Sequence, residues 1–379
     1  MKENAEFIHI IGCCRSGTTI LGRIIERRLK VAIPWEAHFI PIFQRFAWLW
    51  GDLAKEKNRR RLLEAIFDFL ELFTTEMSHG ADMPKQTHFN YEQIKNYTLL
   101  AVKDRAEKII KETDSYQGLV EAIYREYANI HGLSHFGDKS VSFRDVPTEL
   151  THMATPNAKY IHIIRDGRDV ALSWRQHWNG PWTLSEAAWL WGEHVRRKRV
   201  FGAGHPDQYM EVRYEDLLDD EEAVLLKISQ FLGLPLYEDS SADVGLGRLV
   251  AESPIMSLGN QPVVKENQGK WKSSMSPEDV ALFNHFAGAT LRSSGNEENR
   301  NEPVAGVSWA TAAWERAHPW LLTLFSFKKL RVRIKMRLGK KFLPLALFVF
   351  QLLGIDLVKL LGRRGEIPAV TMENRPASR

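Results

Sequence analysis

Residues 7–21, with the sequence FIHIIGCCRSGTTIL, constrain the fold of this chain more than any other stretch. An apolar, β-branched run ends at Gly12, a short loop leads to Gly17, and helical spacing follows; this order predicts a strand, a loop and a helix. The two glycines permit a tight turn with exposed backbone N–H groups, and the helix directs the positive end of its dipole at the same place. We therefore predict an anion-binding loop, with an ordinary tight turn between strand and helix as the alternative.

The residues inside this loop argue against hydrolysis of nucleoside triphosphates. The spacing is that of a Walker loop, but Thr18 stands where NTP-binding loops carry Lys, and Arg15 places the positive charge earlier. The chain also shows neither a His/Cys ligand cluster nor the Lys and acidic partner of a magnesium-dependent phosphoryl transferase. We predict that the site holds no metal, and we keep a P-loop kinase as the alternative enzyme.

The length and charge of the chain predict one catalytic domain with a basic extension. Its 379 residues can bury a full core, and its net charge is +4. Residues 303–379 hold 14 Lys and Arg against 4 Asp and Glu, a balance of +10, whereas the other 302 residues hold 37 against 43, a balance of −6. The polar stretch 293–303 predicts a linker between a catalytic domain over 1–292 and an extension over 304–379. We predict no nucleic-acid partner.

The cysteines indicate the compartment. Cys13 and Cys14 are the only two in the chain, and because they are adjacent in the loop they form neither a disulfide framework nor a metal site. This usage predicts a reducing compartment. The first residues lead into the predicted strand without the pattern of a secretory signal peptide. We therefore predict a cytoplasmic protein.

Charged residues follow further predicted strands of an α/β fold. Residues 31–41 predict a short strand that ends at a Pro-bounded turn, which places Glu36 near the carboxyl edge of the sheet, where α/β proteins bind ligands. Glu36 is therefore a candidate for catalysis. Residues 158–164 predict a buried strand, and the charged segment 165–169, RDGRD, follows it directly. The remaining predictions are mostly helix over 42–130, a polar break over 136–140, a strand end over 212–217, a helix over 222–232 and a helix capped at 276–278.

Two motifs resemble those of the sulfotransferases, which use 3′-phosphoadenylyl sulfate (PAPS) as sulfuryl donor. Residues 15–19, RSGTT, resemble the loop that binds the 5′-phosphosulfate, and residues 160–173 resemble the strand and helix that bind the 3′-phosphate. The resemblance implies a P-loop-type parallel sheet flanked by helices, and it implies that Arg165 and Ser173 hold the 3′-phosphate. An Arg at a strand end and a Ser on the next helix can offer a forked cation and a hydroxyl to one phosphate. The loop residues implied to bind the donor are Arg15, Ser16, Gly17, Thr18 and Thr19.

The resemblance extends over about residues 5–292 and adds two weaker motifs. Residues 212–217, VRYEDL, resemble a segment near the adenine pocket of these enzymes and imply a role for Tyr214 in donor binding. Residues 269–272, GKWK, resemble their late cofactor loop, although the sequence departs from the basic, Gly-rich form of the cytosolic enzymes. Lys270 and Lys265 are therefore candidate phosphate contacts.

Within the superfamily, the chain is most similar to the tyrosylprotein-type and related Golgi and bacterial enzymes, in which a Glu is the base. Glu36 follows Arg15 by 21 residues in a Glu-xxx-Ile-Pro setting. The cytosolic steroid and phenol enzymes instead use a His shortly after the Lys that matches Lys139, and here Ser140 and Val141 follow.

The resemblance therefore implies that Glu36 deprotonates an acceptor hydroxyl, while Arg15, Lys139 and the loop N–H groups stabilise the leaving oxygens. Adenosine 3′,5′-bisphosphate is then the product. A lipid, a carbohydrate or a peptide tyrosine could supply the hydroxyl.

The C-terminal segment 328–362 predicts a membrane contact. Eight Lys or Arg lie between Lys328 and Lys341, and an uncharged run of 14 residues follows over 342–355. This run is shorter than the roughly 20 residues that span a bilayer, so it predicts an in-plane helix on an anionic membrane surface. The alternatives are a helix packed on the protein's own core or in a homodimer. With the nucleotide motifs, this segment also leaves open a non-catalytic, membrane-associated nucleotide-binding protein.

Overall fold

Parallel strands form the centre of the protein. The computed structural model describes residues 7–79, 95–139, 158–176, 180–181, 183–238, 267–295 and 343–354. Within these residues a five-stranded sheet has the order β2-β3-β1-β4-β5, and every pair of neighbouring strands is parallel. The strands are β1 (Phe7–Gly12), β2 (Val31–Ala32), β3 (His135–Asp138), β4 (Ala158–Ile164) and β5 (Tyr209–Arg213).

Helices cover both faces of this sheet. In chain order they are α1 (Thr18–Leu29), α2 (Phe39–Gln44), α3 (Glu56–His79), α4 (Ala106–Lys111), α5 (Tyr116–Ile130), α6 (Gly167–Arg175), α7 (Leu184–Gly204), α8 (Tyr214–Asp219), α9 (Glu221–Leu232), α10 (Trp271–Ser274), α11 (Pro277–Ser293) and α12 (343–352), with 3₁₀ helices at Ala47–Trp50 and Leu99–Arg105. The predicted α/β fold with a parallel sheet flanked by helices is confirmed.

The alternation of side chains along β1 divides the core. Ile8 and Ile10 pack with α1 and α9 on one face, whereas Phe7 and Ile11 pack with the helices of residues 39–130 on the other. A third apolar cluster joins α6, α7 and α11 to the two buried cysteines of the loop, which form no disulfide. The predicted anion-binding loop between β1 and α1, hereafter the phosphate loop, therefore packs against this apolar cluster.

Two local predictions needed correction. Residues 136–138 of the predicted polar break belong to β3, which pairs with β1 and β2. Gly137 permits this close pairing, because a Cβ there would lie 2.5 Å from the carbonyl oxygen of Ile8. The strand predicted at 31–41 is limited to Val31–Ala32. The strand end predicted at 212–217 is confirmed, because β5 stops at Arg213 and α8 begins at Tyr214.

The C-terminal apolar run contacts the body of the protein. Leu347 of α12 is 1% exposed and belongs to the core cluster of α2, α3 and α5. Trp50 Nε1 donates a hydrogen bond to Gln351 Oε1 (3.1 Å), and Gln351 Nε2 donates to the carbonyl oxygen of Arg61 (2.9 Å). The described part of the segment thus packs on the protein's own core, which was the alternative to a membrane contact.

The rest of that segment, residues 328–342 and 355–362, lies outside the described residues. Among the helices that the structure describes, none combines the length and the hydropathy needed to cross a bilayer.

Candidate functional site

The loop between β1 and α1 has the geometry of an anion site. Arg15 and Gly17 both have left-handed backbone conformations, with φ of 68° and 92°, and the Ser16 N–H donates to the Cys13 carbonyl (3.2 Å). The first N–H groups of α1, which begins at Thr18, have no acceptor within the helix. The buried Ser16 hydroxyl also has no hydrogen-bond partner among the described residues. Backbone and side-chain donors are therefore available at one point.

Gly17 lies directly against the ring of Tyr214 at the start of α8. A Cβ on Gly17 would lie 2.5 Å from Tyr214 Cδ2, so any larger residue would displace the loop or the ring. The guanidinium carbon of Arg165 lies 4.7 Å from the centroid of the same ring. Tyr214 thus connects the phosphate loop to the end of β4.

The two motifs predicted to bind opposite ends of the donor meet in the structure. Arg15 Nε donates to Ser173 Oγ on α6 (3.0 Å), and Arg165 Nη1 donates to the Arg15 carbonyl oxygen (3.2 Å). Arg165 Nη2 also donates to the carbonyl oxygen of Asn267, while its Nε is buried without a partner among the described residues. Two guanidinium groups and a hydroxyl therefore converge beside the loop.

Asp169 anchors the late loop to α6. Its carboxylate accepts hydrogen bonds from the backbone N–H groups of Gly269 (2.7 Å) and Trp271 (2.9 Å). Burial raises the Asp169 pKa above its usual value, although these N–H donors and nearby Arg165 oppose the shift. The sequence did not single out Asp169, because its partners are 100 residues away in the chain. It fixes the start of α10 beside Arg165.

Lys270 lies on this late loop but is exposed, and its Nζ donates to Asn267 Oδ1 (2.8 Å). The structure therefore pairs Lys270 with its own loop rather than with the phosphate loop. Lys265, the other predicted contact, lies outside the described residues.

A second cluster connects Glu36 to the phosphate loop. Lys139, the residue after β3, is buried, and its Nζ lies 2.9 Å from Glu36 Oε1. The same Nζ donates to Thr19 Oγ1 in the first turn of α1 (3.3 Å) and lies 4.9 Å from the centroid of the Trp35 ring. One ammonium group thus bridges the carboxylate and the loop.

His38 contacts the other carboxylate oxygen, with its Nε2 3.0 Å from Glu36 Oε2. It is buried, has a left-handed φ of 54° just before α2, and packs edge-on against Phe73 at 5.3 Å between ring centroids. The sequence did not single out His38, because its spacing of two residues from Glu36 was the only signal.

The two partners decide the charge of Glu36. Burial alone would raise the Glu36 pKa, but the Lys139 ammonium and the His38 hydrogen bond outweigh it and lower the pKa to about 2. Glu36 is therefore ionised across the working pH range of proteins, and both of its oxygens are held.

These features define a class of protein. It is a phosphate-loop α/β protein whose site offers cations and N–H groups to an anion and holds an ionised carboxylate beside them. No group of three or more His, Cys, Asp or Glu suited to a metal ion occurs in the part of the chain that the structure describes.

The family follows from the sequence as a whole. The model of the Sulfotransferase family matches residues 8–239, more than half of the chain. The chain belongs to this family and is an enzyme. No curated protein matches it significantly.

Three solved structures illustrate the similarity. The sulfotransferase domain from the Synechococcus PCC 7002 olefin synthase is 21% identical, with 75% of this chain and 95% of that chain covered and a TM-score of 0.48. The sulfotransferase domain from the curacin biosynthetic pathway is 18% identical, with 75% and 96% covered and a TM-score of 0.49. A retinol dehydratase in complex with retinol and PAP is 16% identical, with 80% and 85% covered and a TM-score of 0.34.

Proposed function

We propose that this enzyme transfers a sulfuryl group from PAPS to an acceptor hydroxyl, with Glu36 as the general base. The observation that carries the proposal is the Lys139 bridge, because one ammonium group contacts both the Glu36 carboxylate (2.9 Å) and Thr19 of the phosphate loop (3.3 Å). A proton acceptor and a site for a leaving anion are thus adjacent. Membership of the Sulfotransferase family supports sulfuryl transfer, and it overturns both the kinase and the non-catalytic alternatives.

The residues present fit a donor with an anionic group at each end. The loop N–H groups and the unpartnered Ser16 hydroxyl suit the 5′-phosphosulfate. Arg165 and Ser173 suit the 3′-phosphate, and the free Arg165 Nε can donate to it without loss of another bond. Tyr214, between Gly17 and Arg165, is suited to contact the nucleoside.

The reaction needs a base and a stabilised leaving group. Glu36 takes the proton of the acceptor hydroxyl as its oxygen attacks sulfur in line. The bond from sulfur to the 5′-phosphate oxygen breaks, and its electron pair stays on the phosphate of adenosine 3′,5′-bisphosphate. Arg15, Lys139 and the loop N–H groups stabilise this charge. Because Lys139 also lowers the Glu36 pKa, a shift of the ammonium toward the departing oxygen makes Glu36 a stronger base.

Labelled PAPS provides the test of the proposed function. Purified enzyme incubated with labelled PAPS and fractionated cell extract is expected to label a lipid, carbohydrate or peptide fraction and to release adenosine 3′,5′-bisphosphate. We expect an added chelator to leave transfer intact, because cationic side chains and N–H groups neutralise the leaving group. A strict magnesium requirement would contradict this mechanism, and transfer of phosphoryl from ATP in place of sulfuryl from PAPS would contradict the proposed reaction.

Variants of His38 test whether it acts through Glu36. His38→Leu removes a hydrogen bond that lowers the Glu36 pKa, so the Glu36 pKa rises in this variant. As the pH is lowered, we therefore expect the variant to lose activity at a higher pH than wild type. A charge-assisted bond of roughly 1.5–3 kcal/mol corresponds to about one to two pH units in the acid limb of kcat/KM. His38→Gln retains a hydrogen-bond donor, so its acid limb should lie between those of His38→Leu and wild type. Coincident acid limbs for all three proteins would contradict this role.

A further inference from the structure

We propose that the exposed side of α12 is a docking surface for a membrane that contains anionic lipid. This surface, the α12 outer face, consists of Leu345, Val349, Leu352 and, in the turn that ends the helix, Leu353. Their exposed fractions are 37%, 42%, 59% and 65%. The proposal concerns where the enzyme works, and it does not depend on the identity of the base or the donor.

The α12 helix carries no charge on either side. Leu347, Phe348 and Gln351 form the inner side, where the Phe348 ring lies 5.4 Å from that of Trp50. Leu345, Val349 and Leu352 recur at intervals of four and three, which places them on one helix face, and Leu353 lies four residues after Val349. Residues 343–354 contain no charged side chain at all. A helix at a water-facing surface ordinarily carries polar residues on its outer side, so this face is suited to an apolar environment.

Exposed apolar side chains are concentrated around α12. Of the nine large hydrophobic side chains that are exposed in the described residues, four form the α12 outer face and a fifth is Trp48. Trp48 is 71% exposed and lies in the 3₁₀ helix Ala47–Trp50, whose Trp50 contacts α12. Tryptophan is enriched at the interface between lipid and water because its ring is apolar and its N–H is polar.

The positive charge of the residues before α12 favours anionic lipid as the partner of the α12 outer face. Residues 328–341 carry eight Lys or Arg and no Asp or Glu, and one residue separates them from α12 in the sequence. This charge complements anionic headgroups. A second copy of the chain would bring the same positive charge to the same place, which opposes self-association through α12. The helix has only ten residues, so it suits shallow insertion rather than a span.

The inner contacts of α12 make the docking surface part of the catalytic domain. Trp50 joins α12 to Phe43 of α2, with 5.8 Å between ring centroids, and α2 begins directly after His38. A docked α12 therefore holds the whole domain at the bilayer. Removal of α12 would uncover this part of the core, so substitutions on the outer face are the sharper test.

Full-length protein is to be sedimented with vesicles of phosphatidylcholine alone or of phosphatidylcholine with phosphatidylglycerol. We expect wild type to sediment with the anionic vesicles and less with the neutral ones. The double variant Leu352→Gln, Leu353→Gln should bind the anionic vesicles at least tenfold more weakly, because both side chains lose their apolar insertion. The matched control Val200→Gln, Leu226→Gln changes two apolar residues of other helices, which are 64% and 51% exposed, and should bind like wild type.

Three results would overturn the proposal. The first is wild-type protein that remains in the supernatant with anionic vesicles at low salt. The second is a Leu352→Gln, Leu353→Gln variant that sediments as well as wild type. The third is a dimer in ultracentrifugation that this variant converts to monomer while vesicle binding is absent. Unchanged adenosine 3′,5′-bisphosphate affinity and Tm in the variant would show that its loss of vesicle binding does not come from unfolding.

Discussion

Replacement of Glu36 by Gln is expected to lower turnover by about a hundredfold or more while donor affinity persists. The amide has nearly the size of the carboxylate and can still accept a hydrogen bond from Lys139, but it cannot take the proton of an acceptor hydroxyl. Steady-state transfer from labelled PAPS gives the turnover number, and calorimetric titration with adenosine 3′,5′-bisphosphate gives the donor-site affinity. Loss of turnover with retained donor affinity would show that Glu36 acts in the chemical step and not in donor binding.

The Glu36→Gln variant needs a control for the loss of a buried negative charge. Glu26 on α1 is also a buried carboxylate, paired with Arg23, and it lies outside both clusters of the site. Glu26→Gln should lower Tm but change turnover little in the folded protein. Near wild-type turnover in Glu36→Gln would rule out Glu36 as the base. Equal losses of turnover in both variants would indicate a general effect of charge removal.

The parts of the fold that the sequence predicted correctly are those specified by local residue patterns. Strands β1 and β4 are predominantly apolar, with His9, Lys159 and His162 as polar members, and Gly12 and Gly17 mark the limits of the loop between β1 and α1. The start of α11 was also predictable, because Ser276 and Asp279 form a capping box around Pro277. Each signal lies within a few residues of the structure that it determines.

The features that the sequence left unpredicted depend on distant partners. Residues 135–138 have little strand character of their own, and they form β3 because β1 and β2 offer hydrogen-bonding edges on both sides. Asp169 anchors backbone N–H groups 100 and 102 residues further along the chain. The contact between Glu36 and Lys139 spans 103 residues. For that pair only the family resemblance indicated proximity, and the structure supplied the distance.

The α12 helix shows the same division between local and distant information. The apolar composition of residues 342–355 predicted a helix with an apolar surface. Composition alone does not tell which side of that helix packs on the core. The contacts with Trp50 and Arg61, together with the burial of Leu347, distinguish the inner side from the α12 outer face. From the sequence, core packing and membrane contact were therefore alternatives. In the structure the two are compatible, because the inner side packs on the core and the outer face is exposed.

Replacement of Arg165 by Ala is expected to weaken adenosine 3′,5′-bisphosphate binding about ten- to a hundredfold, since a charge-assisted contact contributes roughly 1.5–3 kcal/mol. Affinity for adenosine 5′-phosphate, which lacks the 3′-phosphate, should hardly change. Arg165 also donates to the Arg15 and Asn267 carbonyls, so a purely structural loss must be distinguished from a lost phosphate contact. The informative quantity is therefore the ratio of the two affinities, measured by calorimetry.

Arg168 provides the matched control for Arg165. Its guanidinium pairs with Asp166 and lies 3.4 Å from the centroid of the Trp271 ring, so it supports the same late loop, but it has no predicted phosphate contact. Arg168→Ala should weaken the binding of both nucleotides equally, whereas Arg165→Ala should weaken only the binding of the bisphosphate. Arg165→Lys keeps the positive charge but loses the two parallel N–H donors of the guanidinium. Its ratio of bisphosphate to monophosphate affinity should therefore lie between those of wild type and Arg165→Ala. Equal losses for both nucleotides in Arg165→Ala would make Arg165 a support for the loops and leave the 3′-phosphate to another group.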